Sequence, residues 1–157
     1  MSERCVGIVV EGDTVWIVDA SIPDDPEDAI EIVADNRWDL QEGDRPTAFE
    51  IITRRCAKYM KENNVTRAFI KATTAPLGRA KVAPLLKSAE LRGAIIAACA
   101  THAKVKLVPK TQISRTYGDR SFDEFCKDDV FWQSMTKGKS LRKTSRPAAM
   151  TLIAGRD

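Results

Sequence analysis

The sequence predicts an α/β fold, a mixed five-stranded sheet opened by a β-hairpin and flanked by helices. Three observations predict it. Two apolar runs, Cys5 to Val10 and Thr14 to Ala20, stand either side of Glu11-Gly12-Asp13, and a glycine there supplies the positive φ of a tight hairpin turn. An amphipathic stripe then lies between two strand-like runs, the spacing of a βαβ unit with parallel pairing. The chain has 157 residues, which suits one domain spanning 1–157 around one core.

After the hairpin, Ile22 to Glu27 (IPDDPE) is a proline-bearing acidic loop. Ala29 to Ala34 alternates apolar and polar residues and reads as a third strand at the sheet's edge. Asp35 to Arg45 is polar and reads as a loop. A helix starts near Pro46, a residue suited to a first turn. In it Phe49, Ile52, Cys56, Tyr59 and Met60 recur at steps of three and four, one apolar stripe. Asn63-Asn64 ends it, and Val65 to Ala72 is the next strand. Thr73 to Ala80 is a loop with Pro76 and Gly78. A long helix follows from Lys81 to Ala103, with Pro84 in its first turn; its second half, from Gly93 to Ala100, is rich in small residues that let a helix lie close to a sheet. Lys104 to Val108 is a strand. Thr111 to Tyr117 is a short helix stopped by Gly118. Ser121 caps another, with Asp123 and Glu124 in its first turn and Phe122, Phe125 and either Val130 or Phe131 as its apolar contacts. Residues 137–146 (KGKSLRKTSR) form a basic segment that reads as flexible, and Pro147 to Ala154 is a last short helix.

Composition narrows the function classes. Charged residues make up 30% and the apolar set 43%, which fits a folded globular chain. The longest apolar stretch is far short of the roughly 20 residues of a membrane span. Met1 to Arg4 leads straight into a strand without an apolar signal region, so the expected location is the cytoplasm. Cys5, Cys56, Cys99 and Cys126 are scattered and His102 is the single histidine. No zinc-ligand spacing exists, and reduced thiols in apolar surroundings are the better reading. The one histidine gives no Ser-His-Asp or Cys-His set. Gly78-Arg79-Ala80-Lys81 at a helix start offers free N–H groups and cations to a phosphate, but it lacks the P-loop pattern. No cofactor is expected. The net charge of +3 is unevenly spread: residues 1–50 hold three basic and fourteen acidic residues, a charge of −11, and the remainder carries +14. Two readings fit, a nucleic-acid or acidic partner for the basic part, and mutual neutralisation within the fold.

The order of elements, with particular segments, resembles the RuvC Holliday-junction-resolvase branch of the RNase H-like superfamily. Val6-Gly7-Ile8-Val9 resembles the opening strand of that family, and Ala68-Phe69-Ile70-Lys71 its fourth strand. Leu91 to Ala98 (LRGAIIAA) resembles its long helix, and Thr111 to Gly118 (TQISRTYG) the segment after the fifth strand. Arg146-Pro147-Ala148-Ala149-Met150 stands where the family carries its final helix. The chain also looks like a group of small RuvC-like proteins lacking the catalytic acids. The resemblance implies an RNase H-like core, a nucleic-acid partner and a homodimer.

The same resemblance implies a carboxylate cluster that this chain does not have. RuvC-like nucleases hold two divalent cations roughly 4 Å apart on bridging carboxylates, and hard Mg²⁺ takes oxygen ligands. Here the first-strand acid is replaced by Val9, the fourth-strand glutamate by Lys71, and the last-helix aspartates by Ala148 and Ala149. An ammonium about 4 Å from a dication is repelled by several kcal/mol at an effective dielectric constant near 20. A relocated acidic site would have to draw on Glu11, which shares a strand face with Val9, on Glu90, and on Asp128 or Asp129. Three functions follow. The first is a catalytically degenerate protein that binds nucleic acid, DNA and in particular branched DNA, without cutting it. Its contacts would come from Lys71, Arg79, Lys81, Arg92, Lys110, Arg115, Lys139, Arg142 and Lys143, with Lys104, Lys106 and Arg120 adding charge; solvation of the surface is the competing reading of these residues. The second is a protein-interaction or adaptor module on a nuclease-derived scaffold, with Trp16, Trp38 and Trp132 as candidate anchors. The third is a metal-dependent nuclease with relocated carboxylates.

Overall fold

The computed structural model describes residues 2–73, 82–116, 118 and 120–156. β1 (Glu3–Glu11) and β2 (Thr14–Ile22) form the expected hairpin, with Glu11 opposite Thr14 and Gly12 at φ 59°. β3 (Ile30–Asp39) runs antiparallel to β2. α1 (Arg45–Glu62) is started by the Asp44 carboxylate, which accepts from the Thr47 N–H at 3.1 Å, and is closed at Asn63-Asn64. It crosses to β4 (Arg67–Lys71), parallel to β1. α2 (Val82–Ala100) leads in the same sense to β5 (Lys104–Val108). Then come α3 (Lys110–Arg115), α4 (Phe122–Lys127), α5 (Asp129–Met135), β6 (Thr136–Gly138), a 3₁₀ turn at Lys143–Ser145 and α6 (Arg146–Arg156). Within the sheet the order is β5-β4-β1-β2-β3-β6. No helix among the described residues is long and apolar enough to cross a membrane.

β1 is buried on both faces, which is why its sequence is a continuous apolar run and not an alternating one. Val6, Ile8 and Val10, with Ala68 and Ile70, pack under Ile52, Cys56 and Met60 of α1 and Leu91, Ile95 and Cys99 of α2. On the opposite face Cys5, Val9 and Phe69 meet Met150, Leu152 and Ile153 of α6, joined by Phe122, Phe125 and Trp132. Every residue from Ala148 to Gly155 is buried, so α6 is a central element. Only part of the small-residue stretch of α2 serves the close approach expected of it: Ala98 and Cys99 are buried in the core with β1 and β4. Gly93, Ala97 and Ala100 are exposed, and the larger Leu91 and Ile95 are buried on the same face as Ala98 and Cys99.

The structure corrects the sequence reading at β3 and after α4. β3 continues to Asp39, through residues that read as a loop, and it is not the edge: β6 pairs with it in parallel, making six strands where five were expected. The cause is a bulge. Asp19 pairs with Ala34 but Ala20 pairs with Ile32, so Val33 is an extra residue and the inward phase of β3 flips there. Ile30 and Ile32 face the α6 layer, and Trp38 faces α1. The predicted 81–103 helix ends at Ala100. After α4 a second helix, α5, forms on its own cap, the Asp128 carboxylate accepting from the Phe131 N–H at 3.0 Å. Phe131 is the apolar contact, while Val130 is 74% exposed.

The basic stretch 137–146 is held in place, where its composition reads as flexible. Asp35 on β3 accepts from the Arg142 backbone N–H at 2.8 Å, from its guanidinium at 3.0 Å and from Ser145 Oγ at 2.5 Å. Burial alone pushes the Asp35 carboxyl up, but these hydrogen bonds outweigh it and hold it below the ordinary carboxylate value. A depressed carboxyl stabilises the fold above its unfolded value of about 4 and loses that contribution as the pH falls through the lower folded value. Asp35→Ala is therefore expected to cost about 1–3 kcal/mol at neutral pH. In urea titrations the deficit relative to wild type should shrink below about pH 4; a deficit that persists undiminished in acid would show that the carboxylate is not the anchor.

Candidate nucleic-acid interface

The parallel register of β1 and β4, Ile8 beside Ile70, brings Val9 beside Lys71 one residue further on. β4 ends there and β1 two residues later, at Glu11, beside a cleft of about 420 Å³. Its floor is Val9, Val10 and Lys71. Its walls are Glu11, Thr73, Leu85, Ser88 and Arg92 on one side and Lys110, Phe122, Asp123 and Pro147 on the other.

Lys71 extends from the face of β4 that also carries Phe69. Its ammonium lies 4.5 Å from the centroid of the Phe122 ring, a cation–π seat. Its pKa is lowered, first by burial and then by the neighbouring Lys110, with Glu11 opposing. Arg92 reaches the same cleft from α2. Its guanidinium donates to the Val10 carbonyl at 3.0 Å and to Thr73 Oγ1 at 2.7 Å, tying the helix to the ends of β1 and β4. Ser88 secures the hairpin in the same way: its Oγ accepts from the Gly12 N–H at 2.8 Å and donates to the Pro84 carbonyl at 3.1 Å. Cys126 is half-buried, and burial, followed by Asp123, pushes its thiol up to about 11. It is no thiolate at neutral pH.

No family model matches the chain and no curated protein matches it. Solved structures do. A Thermus thermophilus RuvC structure covers 98% of this chain and 95% of its own at 8% identity with a TM-score of 0.73. T. thermophilus RuvC in complex with Holliday junction substrate covers the same shares at 9% identity and a TM-score of 0.72. The yeast mitochondrial Holliday junction resolvase Ydc2 covers 97% of this chain and 78% of its own at 10% identity and a TM-score of 0.64. The fold is RuvC-like. The strand order β3-β2-β1-β4-β5, with β2 antiparallel, is the RNase H-like sheet that the sequence resemblance implies, and β6 is added beyond β3.

In this RuvC-like frame the positions where the resemblance puts metal-binding carboxylates carry none. Val9 is 6% exposed and Lys71 lies over Phe122. Ala148 and Ala149 are fully buried on α6, and the residue of that helix that reaches the cleft is Pro147. The donor set does not fit a pair of divalent cations. The relocated set does not converge either. Glu11 lines the cleft, but Glu90 lies 3.5 Å from Arg45, Asp128 pairs with Arg120 at 2.8 Å, and Asp129 pairs with Arg146 at 2.7 Å. Among the described residues no three His, Cys, Asp or Glu side chains gather to hold a metal ion.

The expected basic residues divide among three places. Lys71, Arg92 and Lys110 line the cleft. Arg115 borders a separate shallow hollow with Gln112 and Thr116. Lys139 and Lys143 border a groove beside Trp132 and β6, where Lys143 lies 3.9 Å from Asp129 and Arg142 is occupied by Asp35. Arg79 and Lys81 lie outside the described residues. Of the tryptophans offered as anchors, Trp38 and Trp132 are core residues, each 3% exposed; Trp16 is partly buried, with the Arg37 guanidinium 5.6 Å from its ring centroid. Sequence reasoning missed Phe122, Ser88 and Asp123 as parts of the site. Phe122 stands in the first turn after the Ser121 cap, a local signal for a helix start that says nothing of the ring beneath Lys71.

Proposed function

We propose that this chain is a pseudo-nuclease: a RuvC-like protein that binds DNA, branched DNA included, without hydrolysing the phosphodiester bonds of undamaged strands. One observation carries the reading. An ammonium seated on an aromatic ring occupies the place where two cations would need anionic oxygens. Lys71, with Lys110 at the rim, turns that place from a metal site into a seat for a phosphate. Binding of this kind is electrostatic, salt-sensitive and weakly sequence-specific. We place the protein in the cytoplasm and read it as a homodimer, which light scattering tests directly.

A labelled four-way junction and a labelled duplex, titrated at several salt concentrations, test the reading. Binding should weaken linearly on a log–log salt plot, and DNA incubated with Mg²⁺ or Mn²⁺ should stay intact. Lys71→Glu is expected to weaken binding about tenfold and to flatten the salt slope by about one to two. Lys71→Gln should fall between wild type and Lys71→Glu. Equal affinity of all three proteins would remove the cleft from the binding surface. Metal-dependent cleavage that survives repurification would reverse the pseudo-nuclease reading.

A further inference from the structure

We infer that Lys71 is a nucleophile toward aldehydes, and that its ligand is the ring-opened abasic deoxyribose of damaged DNA, on which it forms an imine and breaks the strand by elimination. This rests on the reading above, because the cleft must first receive a sugar–phosphate backbone. The geometry places the required groups in one cleft. Lys71 is the amine at its floor, held over Phe122 at 4.5 Å. Glu11 and Asp123 bring carboxylates to its walls, and Lys110 brings a second cation to hold a flanking phosphate. A lysine activates as a nucleophile when it is desolvated or set beside another cation, and both conditions hold for Lys71.

The step balances without a metal, an oxidant or a reductant. The Lys71 ammonium first gives a proton to solvent, its Nζ lone pair adds to C1′ of the aldehyde, and the adduct takes up a proton and loses water to give a protonated imine. The Glu11 carboxylate removes a proton from C2′. The resulting enamine expels the phosphate from C3′, breaking the C3′–O bond and leaving a 5′-phosphate on the released strand. Water hydrolyses the conjugated imine, returning the amine and an unsaturated aldehyde, and Glu11 gives its proton to solvent.

Borohydride reduction of the full-length protein, mixed with a duplex that holds one abasic site and with EDTA present, tests this. The expected result is a covalent protein–DNA adduct that maps to the Lys71 peptide by mass spectrometry. None should form with a tetrahydrofuran site, which has no aldehyde. Lys71→Arg keeps the charge and removes the reactive amine; it should lose the adduct, while its affinity for the same DNA, measured alongside, should fall by less than Lys71→Glu lowers it. Glu11→Gln should still be trapped but cleave more slowly. DNA binding without an adduct, or an adduct undiminished in Lys71→Arg and so formed on other amines, would overturn the inference while leaving the binding reading intact. Absence of DNA binding at low salt would remove both.

Discussion

Asp19→Ala is expected to destabilise the protein by about 3 kcal/mol. Asp19 is fully buried on β2, an ionisable side chain in a sheet interior that otherwise admits apolar groups. Arg4 on β1 grips it with two hydrogen bonds, Nε to Oδ1 at 2.5 Å and Nη2 to Oδ2 at 2.8 Å, and the Tyr59 hydroxyl of α1 donates to Oδ2 at 2.6 Å. Removing the carboxylate leaves a guanidinium and a phenol without their acceptor. Loss of one partner from a buried pair costs about 3–5 kcal/mol, and the lower end applies because the Arg4 side chain is 29% exposed and water answers part of its charge. Tyr59→Phe removes one hydrogen bond and should cost about 1 kcal/mol. The double variant should cost less than the two single effects added, since the phenol has no carboxylate to bond once Asp19 is gone. Chemical denaturation of the four proteins measures this. Strict additivity would show that the triad is not one unit. The network also sits at the bulge, where Asp19 pairs with Ala34 and the register shifts at Ala20, so it fixes where β3 changes phase.

That bulge explains most of what the sequence concealed. The hairpin and α1 were legible because each keeps one period throughout: a double-sided apolar run broken by Gly12, and a stripe from Phe49 to Met60. β3 keeps period two only in pieces. Its pattern is broken at Val33, so Asp35 to Asp39 reads as polar loop although Trp38 is nearly inaccessible. β6 has three residues, too few to carry a period, and it exists because the stretch beyond it is tied to Asp35 107 positions away. The same limit governs the site. The resemblance puts Lys71 where the family carries an acid, because its strand could be matched. Lys110 is read with it, but Phe122 is not, because it arrives from a helix whose direction no local pattern records. Net charge was a poor guide as well: Arg142, Lys143 and Arg146 look like one basic segment with 137–141, yet Arg142 is consumed by Asp35, and Asp129 faces the other two.

Gly7→Ala is the second large effect, and it tests the helix placement on which the reading of the cleft depends. α6 crosses β1 so closely that a Cβ at Gly7 would overlap the Ala148 carbonyl oxygen and come within 2.7 Å of Leu152 Cβ. Backbone cannot rotate out of the way as a side chain can, so the helix itself has to move. Overpacking of this kind costs about 1–3 kcal/mol and occasionally more, and contact with a main-chain atom puts Gly7→Ala at about 3 kcal/mol or above. Gly93→Ala is the matched control. It lies in α2 with nothing within 4 Å of an added methyl, and alanine there should stabilise the protein by about 0.5–1 kcal/mol through helix propensity. Opposite signs for one chemical change at two glycines would follow from overpacking at Gly7 and from helix propensity at the open Gly93. The displaced helix should carry Pro147 away from the cleft wall, so any Gly7→Ala protein that still folds should also bind DNA more weakly, whereas Gly93→Ala should bind as wild type does. A Gly7→Ala protein as stable as wild type would mean that α6 does not lie on β1 at this distance. The burial of Ala148 and Ala149 where a nuclease needs carboxylates would then lose its structural basis.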